Sequence, residues 1–251
     1  MALHEGGNAR RGPGQKEVGE PGDLPTLGIM MLNTRFPRVL GDIGNPATFD
    51  FPVRYQVIEQ ATVDRVVRPD QPAADLVEPM VQAAEHLAEA GVVGLTTSCG
   101  FFAAWQDELA ARCPLPIVAS SLCQIPLVQA MLPEGQRVGV LTVDARKLSP
   151  SHFATVGAPT DTPFVGTEQG HELTRVIEQD LTELDPAKAE RDVLDAGEAL
   201  LAQTSDVGAI VLECTNMAPY ARALSNHLGL PVFDIVGLLS WWYRSLCPPR
   251  F

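Results

Sequence analysis

The sequence is poor in positive charge and in long hydrophobic runs. Its 251 residues carry 18 Lys and Arg against 31 Asp and Glu, which gives a formal net charge of −13. Nucleic acids and anionic membranes are bound by clustered Lys and Arg, so this balance argues against both as partners. The sequence shows no apolar stretch of the length of a membrane span and no signal-peptide core, which predicts a cytoplasmic protein.

Motifs for metals and nucleotides are also lacking. The five cysteines include no C-x-x-C pair and no Cys/His spacing typical of a zinc site. Gly41 and Gly44 do not form G-x-G-x-x-G, and the sequence contains no P-loop. We therefore expect no metal and no cofactor, and a reducing compartment for the free thiols.

Hydrophobic residues make up 45% of the sequence, which is enough to build a sizeable core. Residues 1–24 are an exception, because they are rich in Gly, Pro and charge, and we expect a disordered N-terminal tail there. Beyond them, short apolar runs alternate with amphipathic stretches of helical length, which predicts an α/β fold with parallel sheets. The predicted strands are 27–31, 53–57, 92–97, 116–120, 138–142, 163–166, 207–212 and 231–234, and the clearest predicted helices are 73–90 and 187–203.

The chain also contains a diverged duplication. The cysteine of T-T-S-C-G-F aligns with that of L-E-C-T-N-M at an offset of 115 residues, which places Cys99 on Cys214. Upstream, L-G-I-M-M (27–31) aligns with V-G-V-L-T (138–142) at an offset of 111 residues. Self-similarity of this kind indicates two copies of one structural unit.

Cys99 and Cys214 each follow a predicted strand. Ligands of open α/β sheets bind at the carboxyl ends of the strands, where helix N-termini also point. We expect each cysteine to lie at such a junction, where the helix N-terminus would lower the pKa of the thiol. A single free cysteine is most often a buried core residue. Two cysteines at equivalent positions of the repeat, each beside hydroxyl or amide side chains, instead favour a functional role for the pair.

This pair is suited to proton transfer at a tetrahedral carbon. If the two halves pack about a pseudo-twofold axis, one thiolate would remove a proton α to a carboxylate while the other thiol delivers one to the opposite face. The resulting carbanion needs fixed hydrogen-bond donors. Candidates are the side chains of Ser98, Thr215 and Asn216, with the backbone N–H groups of 99–101 and 214–216. A loop containing Arg35, Arg38 and Arg54 could hold an anionic substrate.

The cysteine-bearing repeat, the strand followed by C-T-N and the chain length resemble the aspartate/glutamate/hydantoin racemase superfamily over residues 25–247. This resemblance implies an α/β fold of two pseudo-symmetric Rossmann-like lobes with parallel sheets and an active site in the cleft between them. We assign the first lobe to 25–121, completed by the C-terminal segment 220–251, and the second lobe to 122–219.

The resemblance also implies a set of site residues. Cys99 and Cys214 would be the catalytic cysteines. The loop after the first strand of each lobe commonly helps to bind the substrate carboxylate in that family. The expected substrate-binding residues are Asn33, Thr34, Thr97, Ser98, Gly100, Thr142, Thr215 and Asn216.

We expect a cofactor-independent racemase or epimerase that acts on an amino acid or a related small carboxylate. Gly100-Phe101 and Asn216 stand where many glutamate racemases have Asn-Thr and His, which argues against glutamate racemase itself. A maleate-type cis-trans isomerase remains an alternative, and so does a non-catalytic metabolite-binding protein. A malonate-type decarboxylase typically keeps only the second cysteine, so both thiols argue against it.

Two further questions stay open at the level of sequence. Glu168 or His171 could assist the second cysteine, although a solvated helix start is the more frequent meaning of that segment. The aromatic segment 241–243 near the C-terminus could support a homodimer contact or could pack into the core.

Overall fold

A computed structural model describes residues 24–69 and 71–248 of the chain. The predicted disordered tail therefore lies outside the described residues, apart from Leu24. Within the described ranges, the chain forms two parallel four-stranded sheets flanked by helices, which confirms the predicted fold class.

The first sheet has the strand order β2-β1-β3-β4, and the second has the equivalent order β6-β5-β7-β8. This shared order is the structural counterpart of the sequence repeat. Each predicted strand forms, although several are shorter than expected. The strands are β1 (Leu27–Leu32), β2 (Val53–Ile58), β3 (Leu95–Thr97), β4 (Ile117–Val118), β5 (Arg137–Thr142), β6 (Phe164–Gly166), β7 (Val207–Leu212) and β8 (Val232–Phe233).

Helices and short 3-10 segments connect the strands. The predicted helix 73–90 forms as a 3-10 turn over Ala74–Leu76 that leads into α2, and the predicted helix 187–203 begins one residue earlier, at Pro186. The α-helices are α1 (Val63–Val66), α2 (Val77–Glu89), α3 (Gln106–Arg112), α4 (Ile125–Met131), α5 (Pro150–Ala154), α6 (Leu173–Glu178), α7 (Pro186–Gln203), α8 (Ala221–Leu228) and α9 (Ile235–Leu246).

The central strands β1 and β7 are buried along their whole length. Both are near-continuous apolar runs, as is usual for parallel strands that are covered on both faces. On one face of β1, Leu27 and Ile29 pack against Leu239 and Tyr243 of α9. The C-terminal helix therefore completes the hydrophobic core of the first sheet.

The two halves meet at the carboxyl ends of β3 and β7. Thr215 donates a hydrogen bond of 2.7 Å from Oγ1 to the backbone oxygen of Ser98, across 117 positions of sequence. Ser121 donates from its hydroxyl to the backbone oxygen of Leu212. These bonds join the segments that follow β3 and β4 to the end of β7, and they bring the two cysteine-bearing turns face to face.

Candidate active site

Cys99 and Cys214 occupy equivalent places in the two lobes. Cys99 follows β3 and precedes a 3-10 helix over Gly100–Trp105, and Cys214 follows β7 and precedes a 3-10 helix over Thr215–Tyr220. Each cysteine has extended backbone dihedrals and is the N-cap residue of its 3-10 helix. The duplication therefore places both thiols at strand-to-helix junctions, as the sequence predicted.

Both cysteines line one small cavity between the lobes, with a volume of about 20 Å³. This is room for about one water molecule, so the protein adopts a closed conformation that must widen to admit a substrate. Ser98, Gly100, Thr215 and Asn216 contribute polar or small groups to the wall. Its apolar part consists of Leu32, Phe36, Val63, Val67, Phe101, Val143 and Ile177.

The thiol pKa values differ from the sequence expectation. Burial, followed by the nearby carboxyl of Glu213, raises the pKa of Cys99 and of Cys214 well above the usual value. The backbone N–H groups of Phe101 and Asn216 act in the opposite direction, as helix N-termini should, but their effect is smaller. The expected lowering of the thiol pKa is therefore wrong for this closed conformation, because desolvation outweighs the helix ends.

Glu213 is a buried carboxyl group beside both thiols that sequence reasoning did not single out. Thr142 donates a hydrogen bond of 2.7 Å to its Oε2 atom. Its Oε1 atom has no hydrogen-bond partner in the described part of the chain. Burial raises the pKa of Glu213 to about 7, against a lowering effect of Thr142. The signal in the sequence was an acidic residue at the end of an apolar strand, directly before Cys214.

A chain of hydrogen bonds leads from the second thiol into the first lobe. The thiol of Cys214 donates to Asn216 Oδ1 at 3.5 Å, and Asn216 Nδ2 donates to Asp42 Oδ2 at 2.6 Å. The other oxygen of Asp42 accepts from Arg38 at 3.1 Å. Asp42 is almost fully buried. Sequence reasoning missed it because it lies in an irregular loop that is far from either cysteine along the sequence.

Arg38 is the member of the predicted anion-binding loop that lines the cavity. Its guanidinium group lies 4.2 Å from the centre of the Phe36 ring and donates to Thr34 Oγ1 at 2.8 Å. Arg35 instead forms an exposed ion pair with Asp180 at 3.0 Å. Arg54 lies on β2, outside the cavity wall.

Four of the expected substrate-binding residues do not line the cavity. Asn33 is exposed and donates to the backbone oxygen of Glu59 at 3.2 Å. Thr97 is buried and donates to the backbone oxygen of Ala119 at 2.7 Å. Thr34 and Thr142 reach the site indirectly, through Arg38 and Glu213 respectively.

The open candidates Glu168 and His171 lie away from the cavity wall. A carboxylate oxygen of Glu168 accepts a hydrogen bond from the backbone N–H of Ala145 at 3.1 Å. The backbone N–H of His171 donates to Asp192 at 3.1 Å.

Across residues 24–69 and 71–248, no group of three or more His, Cys, Asp and Glu side chains is arranged to hold a metal ion. None of the helices described in this part of the chain has the length and apolarity needed to cross a bilayer.

Comparison with known proteins agrees with this architecture. A profile of the Asp/Glu/Hydantoin racemase family matches residues 52–241, and the chain belongs to that family. The predicted superfamily is therefore confirmed. Among solved structures, allantoin racemase from Klebsiella pneumoniae has a TM-score of 0.59 at 19% identity, covering 88% of this chain and 87% of that one. Arylmalonate decarboxylase has a TM-score of 0.58 at 15% identity, covering 90% and 94%. At such identities the likeness shows the fold alone.

Relatives found by sequence similarity are named as lyases rather than racemases. Dimethylsulfoniopropionate lyase 3 of Emiliania huxleyi (strain CCMP1516) is 29% identical over 238 residues, which cover 91% of this chain and 62% of that protein. A dimethylsulfoniopropionate lyase of Durusdinium sp. clade D is 26% identical over 236 residues, which cover 90% and 77%. The chain thus spans about three fifths of the length of the first of these relatives. The family profile is named for racemases, whereas these relatives are named as lyases, so family membership makes the chain a member of an enzyme family without assigning it one reaction.

Proposed function

We propose that the protein is a cofactor-independent enzyme that removes a proton α to a carboxylate, and that its reaction is elimination from a small β-sulfonio carboxylate. The observation that carries the proposal is the placement of Cys99 and Cys214 on one largely apolar cavity that also contains Arg38. The similarity to dimethylsulfoniopropionate lyases, which extends over about nine tenths of the chain, supports the choice of substrate.

Arg38 is the candidate for binding the substrate carboxylate. Its side chain is 15% exposed and is oriented from three sides by Asp42, Thr34 and the Phe36 ring. A guanidinium group presents several N–H donors in one plane, which suits a carboxylate. Because the protein already fixes this group, little conformational entropy is lost when a ligand binds.

The proposed reaction needs a cysteine thiolate as the base and a sulfide leaving group on the β carbon of the substrate. One thiolate removes the α proton and becomes a thiol, so the C–H bond breaks. Its electron pair forms the double bond of an acrylate. The C–S bond breaks at the same stage, and its electron pair leaves with a neutral dialkyl sulfide. The thiol then returns its proton to solvent, so the cycle needs no oxidant or reductant.

The raised thiol pKa values fit this role. The carbon next to a carboxylate is a weak acid, and a thiolate whose conjugate acid has a high pKa is a stronger base. The cost is a small thiolate population in the closed protein. Arg38 opposes that cost at Cys99, because its positive charge lowers the pKa of this thiol.

A racemase or epimerase is the second candidate. It is favoured by the presence of two cysteines, since inversion needs one thiolate and one thiol on opposite faces of the reacting carbon. Elimination needs only one thiolate. The two reactions therefore predict different results for single substitutions of Cys99 and Cys214: inversion is lost with either residue, whereas elimination is lost fully with one and partly retained with the other.

Proton NMR in D2O tests both candidates. The panel would hold dimethylsulfoniopropionate, aspartate, glutamate, hydantoins, maleate and substituted malonates. Elimination gives vinyl protons and a free dimethyl sulfide signal, whereas racemisation removes the α-proton signal from an otherwise unchanged substrate. Cys99→Ala and Cys214→Ala are the test variants, and Cys113→Ala, at a free cysteine outside the cavity wall, is the matched control. An inert wild-type protein across the panel would contradict both reactions.

A further inference from the structure

Glu213 is a buried carboxyl group with one oxygen left without a partner. Thr142 occupies Oε2, while Oε1 is buried, lacks a hydrogen-bond partner among the described residues and belongs to a residue that lines the cavity. A Cβ atom added to Gly100 would lie 2.2 Å from this Oε1 atom. Glu213 therefore lies against the backbone directly after the first catalytic cysteine. A buried carboxylate is costly unless a partner balances it.

The described part of the protein does not supply a positive partner. Arg38 is the basic side chain on the cavity wall within these residues, and it is already paired with Asp42 at 3.1 Å. Its charge affects Cys99, whereas burial and the Thr142 hydrogen bond are the influences that act on Glu213. The cavity wall thus carries a guanidinium group, Arg38, that is already paired with Asp42, and a carboxyl group, Glu213, that has no positive partner among the described residues.

We propose that Glu213 binds the positively charged end of a zwitterionic substrate whose carboxylate is held by Arg38. The inference rests on the proposed function for the carboxylate end and adds the residue that recognises the cation, which can be a sulfonium or a quaternary ammonium group. Such cations are weakly hydrated and bind well beside aromatic rings. Phe36 and Phe101 place two rings on the same cavity wall.

The expected kinetic signature follows from the charge balance of the reaction. In the bound substrate the sulfonium group is fully positive, and it becomes neutral as the sulfide leaves. The attraction to Glu213 is therefore stronger in the ground state than in the transition state. Removing the charge of Glu213 should raise KM by at least about tenfold and should change kcat less than KM.

A pair of ligands of equal shape separates charge recognition from turnover. The first is trimethylammoniopropionate, and the second is the tert-butyl analogue, in which carbon replaces the charged nitrogen. Calorimetry at about pH 8 gives the dissociation constant of each for the wild type and for Glu213→Gln, with exposed Glu134→Gln as the control. We expect the wild type and the control to prefer the cationic ligand, and Glu213→Gln to lose about tenfold or more of that preference.

A second measurement uses the wild type alone, so it does not depend on the folding of a variant. The titratable or charged groups that face Glu213 in the cavity are Cys99, Cys214 and Arg38. Burial keeps both thiols protonated well above neutral pH. Binding of the cationic ligand should therefore strengthen between about pH 6 and about pH 8, while binding of the neutral analogue stays constant.

The outcomes distinguish this inference from the proposed function. Charge preference that depends on Glu213, in a protein that does not cleave sulfonio carboxylates, would support the inference and contradict the function. Cleavage with an unchanged charge preference in Glu213→Gln would overturn the inference and leave the function standing. Binding of neither ligand by the wild type would also overturn the inference.

Discussion

Asn216 and Asp42 are joined by a hydrogen bond of 2.6 Å although they lie 174 positions apart in the chain. Asn216 also accepts a hydrogen bond from the thiol of Cys214, and Asp42 also accepts one from Arg38. One buried carboxylate in the first lobe therefore helps to orient a thiol of the second lobe and a guanidinium group of its own lobe. This arrangement couples the closure of the cleft to the alignment of the site.

Substitution of Asp42 by Asn tests that coupling. The amide keeps the shape of the side chain, but it replaces one acceptor oxygen by an N–H donor and removes the charge from the hydrogen bonds with Arg38 and Asn216, which are each worth about 1.5–3 kcal/mol. We expect kcat/KM on the proposed substrate to fall by about tenfold to a hundredfold, with KM affected because Arg38 loses its orientation. Initial rates and thermal unfolding would be measured beside Asp50→Asn, whose carboxylate is 71% exposed and pairs with Arg244. Unchanged kinetics in Asp42→Asn would argue against a positioning role.

The placement of the two cysteines could be predicted from the sequence because local signals agree there. Each lies after an apolar run long enough for a covered strand, and the repeat sets both at equivalent positions. Parallel strands then bring their carboxyl ends to one edge of each sheet. The eight strands of the described chain were predictable for the same reason, even where β4 and β8 shrink to two residues.

The electrostatics of the site could not be predicted in the same way. Helix N-termini are visible in the sequence, and they do act on the thiols, but desolvation depends on how the two lobes pack. Asp42 pairs with a residue 174 positions away, and no periodic pattern marks it. The sequence shows that Glu213 directly precedes Cys214 in L-E-C-T-N. Its burial beside both thiols, however, follows only from the tertiary fold.

Gly100 should not tolerate a side chain. A Cβ atom there would lie 2.2 Å from both the backbone oxygen and Oε1 of Glu213, far inside normal contact distance. Because one of these atoms belongs to the backbone, the two turns would have to separate. We expect Gly100→Ala to lose about 1–3 kcal/mol of unfolding free energy together with activity, as measured by urea unfolding and initial rates.

Gly237→Ala is the matched control for that substitution. The nearest atom to a Cβ at this position is 3.6 Å away, which is an ordinary contact, and the residue lies in helix α9. Alanine is favoured over glycine in a helix by about 1 kcal/mol, so this variant should be as stable as the wild type or more stable. Equal behaviour of the two alanine variants would contradict the crowding at Gly100.

Glu213 should make stability depend on pH in a way that glutamine removes. Burial raises its pKa from the usual 4.5 to about 7. Between these values the folded protein holds a proton that the unfolded chain has released, so this contribution is fully present below about pH 4.5 and is lost as pH rises through about 7. The wild type should therefore lose this stabilisation between pH 5 and pH 8, and Glu213→Gln should not. Relative to the wild type, the free energy of unfolding of Glu213→Gln should rise by on the order of 3 kcal/mol over this range.

Urea unfolding at the two pH values measures that gain. The comparison with the wild type cancels the contributions of carboxylates elsewhere in the chain. The exposed carboxyl of Glu134 provides a control, since Glu134→Gln should shift stability equally at both pH values. A stability difference between Glu213→Gln and the wild type that does not change with pH would show that the carboxyl titrates normally.

The contact between Asp180 and the loop after β1 should limit access to the closed cavity. Asp180 Oδ1 accepts from the backbone N–H groups of Arg35 at 2.6 Å and Phe36 at 3.2 Å, and Oδ2 accepts from the Arg35 guanidinium at 3.0 Å. Phe36 lies on the cavity wall, so these bonds hold one wall of the first lobe against the second. Cys99 is partly exposed, but a cavity of about 20 Å³ is too small for iodoacetamide, so we expect movement of this wall to make the thiol more accessible.

Asp180→Asn should therefore increase the rate at which iodoacetamide alkylates Cys99. Asparagine tolerates the φ of 48° found at this position, so the change removes charge without straining the backbone. An exposed ion pair contributes up to about 1 kcal/mol, which corresponds to an increase of about fivefold in the open population. Mass spectrometry would follow alkylation of Cys99, with Cys113 as an internal reference. Asp161→Asn, which breaks an exposed pair with Arg137 elsewhere, should leave the rate unchanged, and an equal rate for all three proteins would show that opening does not depend on Asp180.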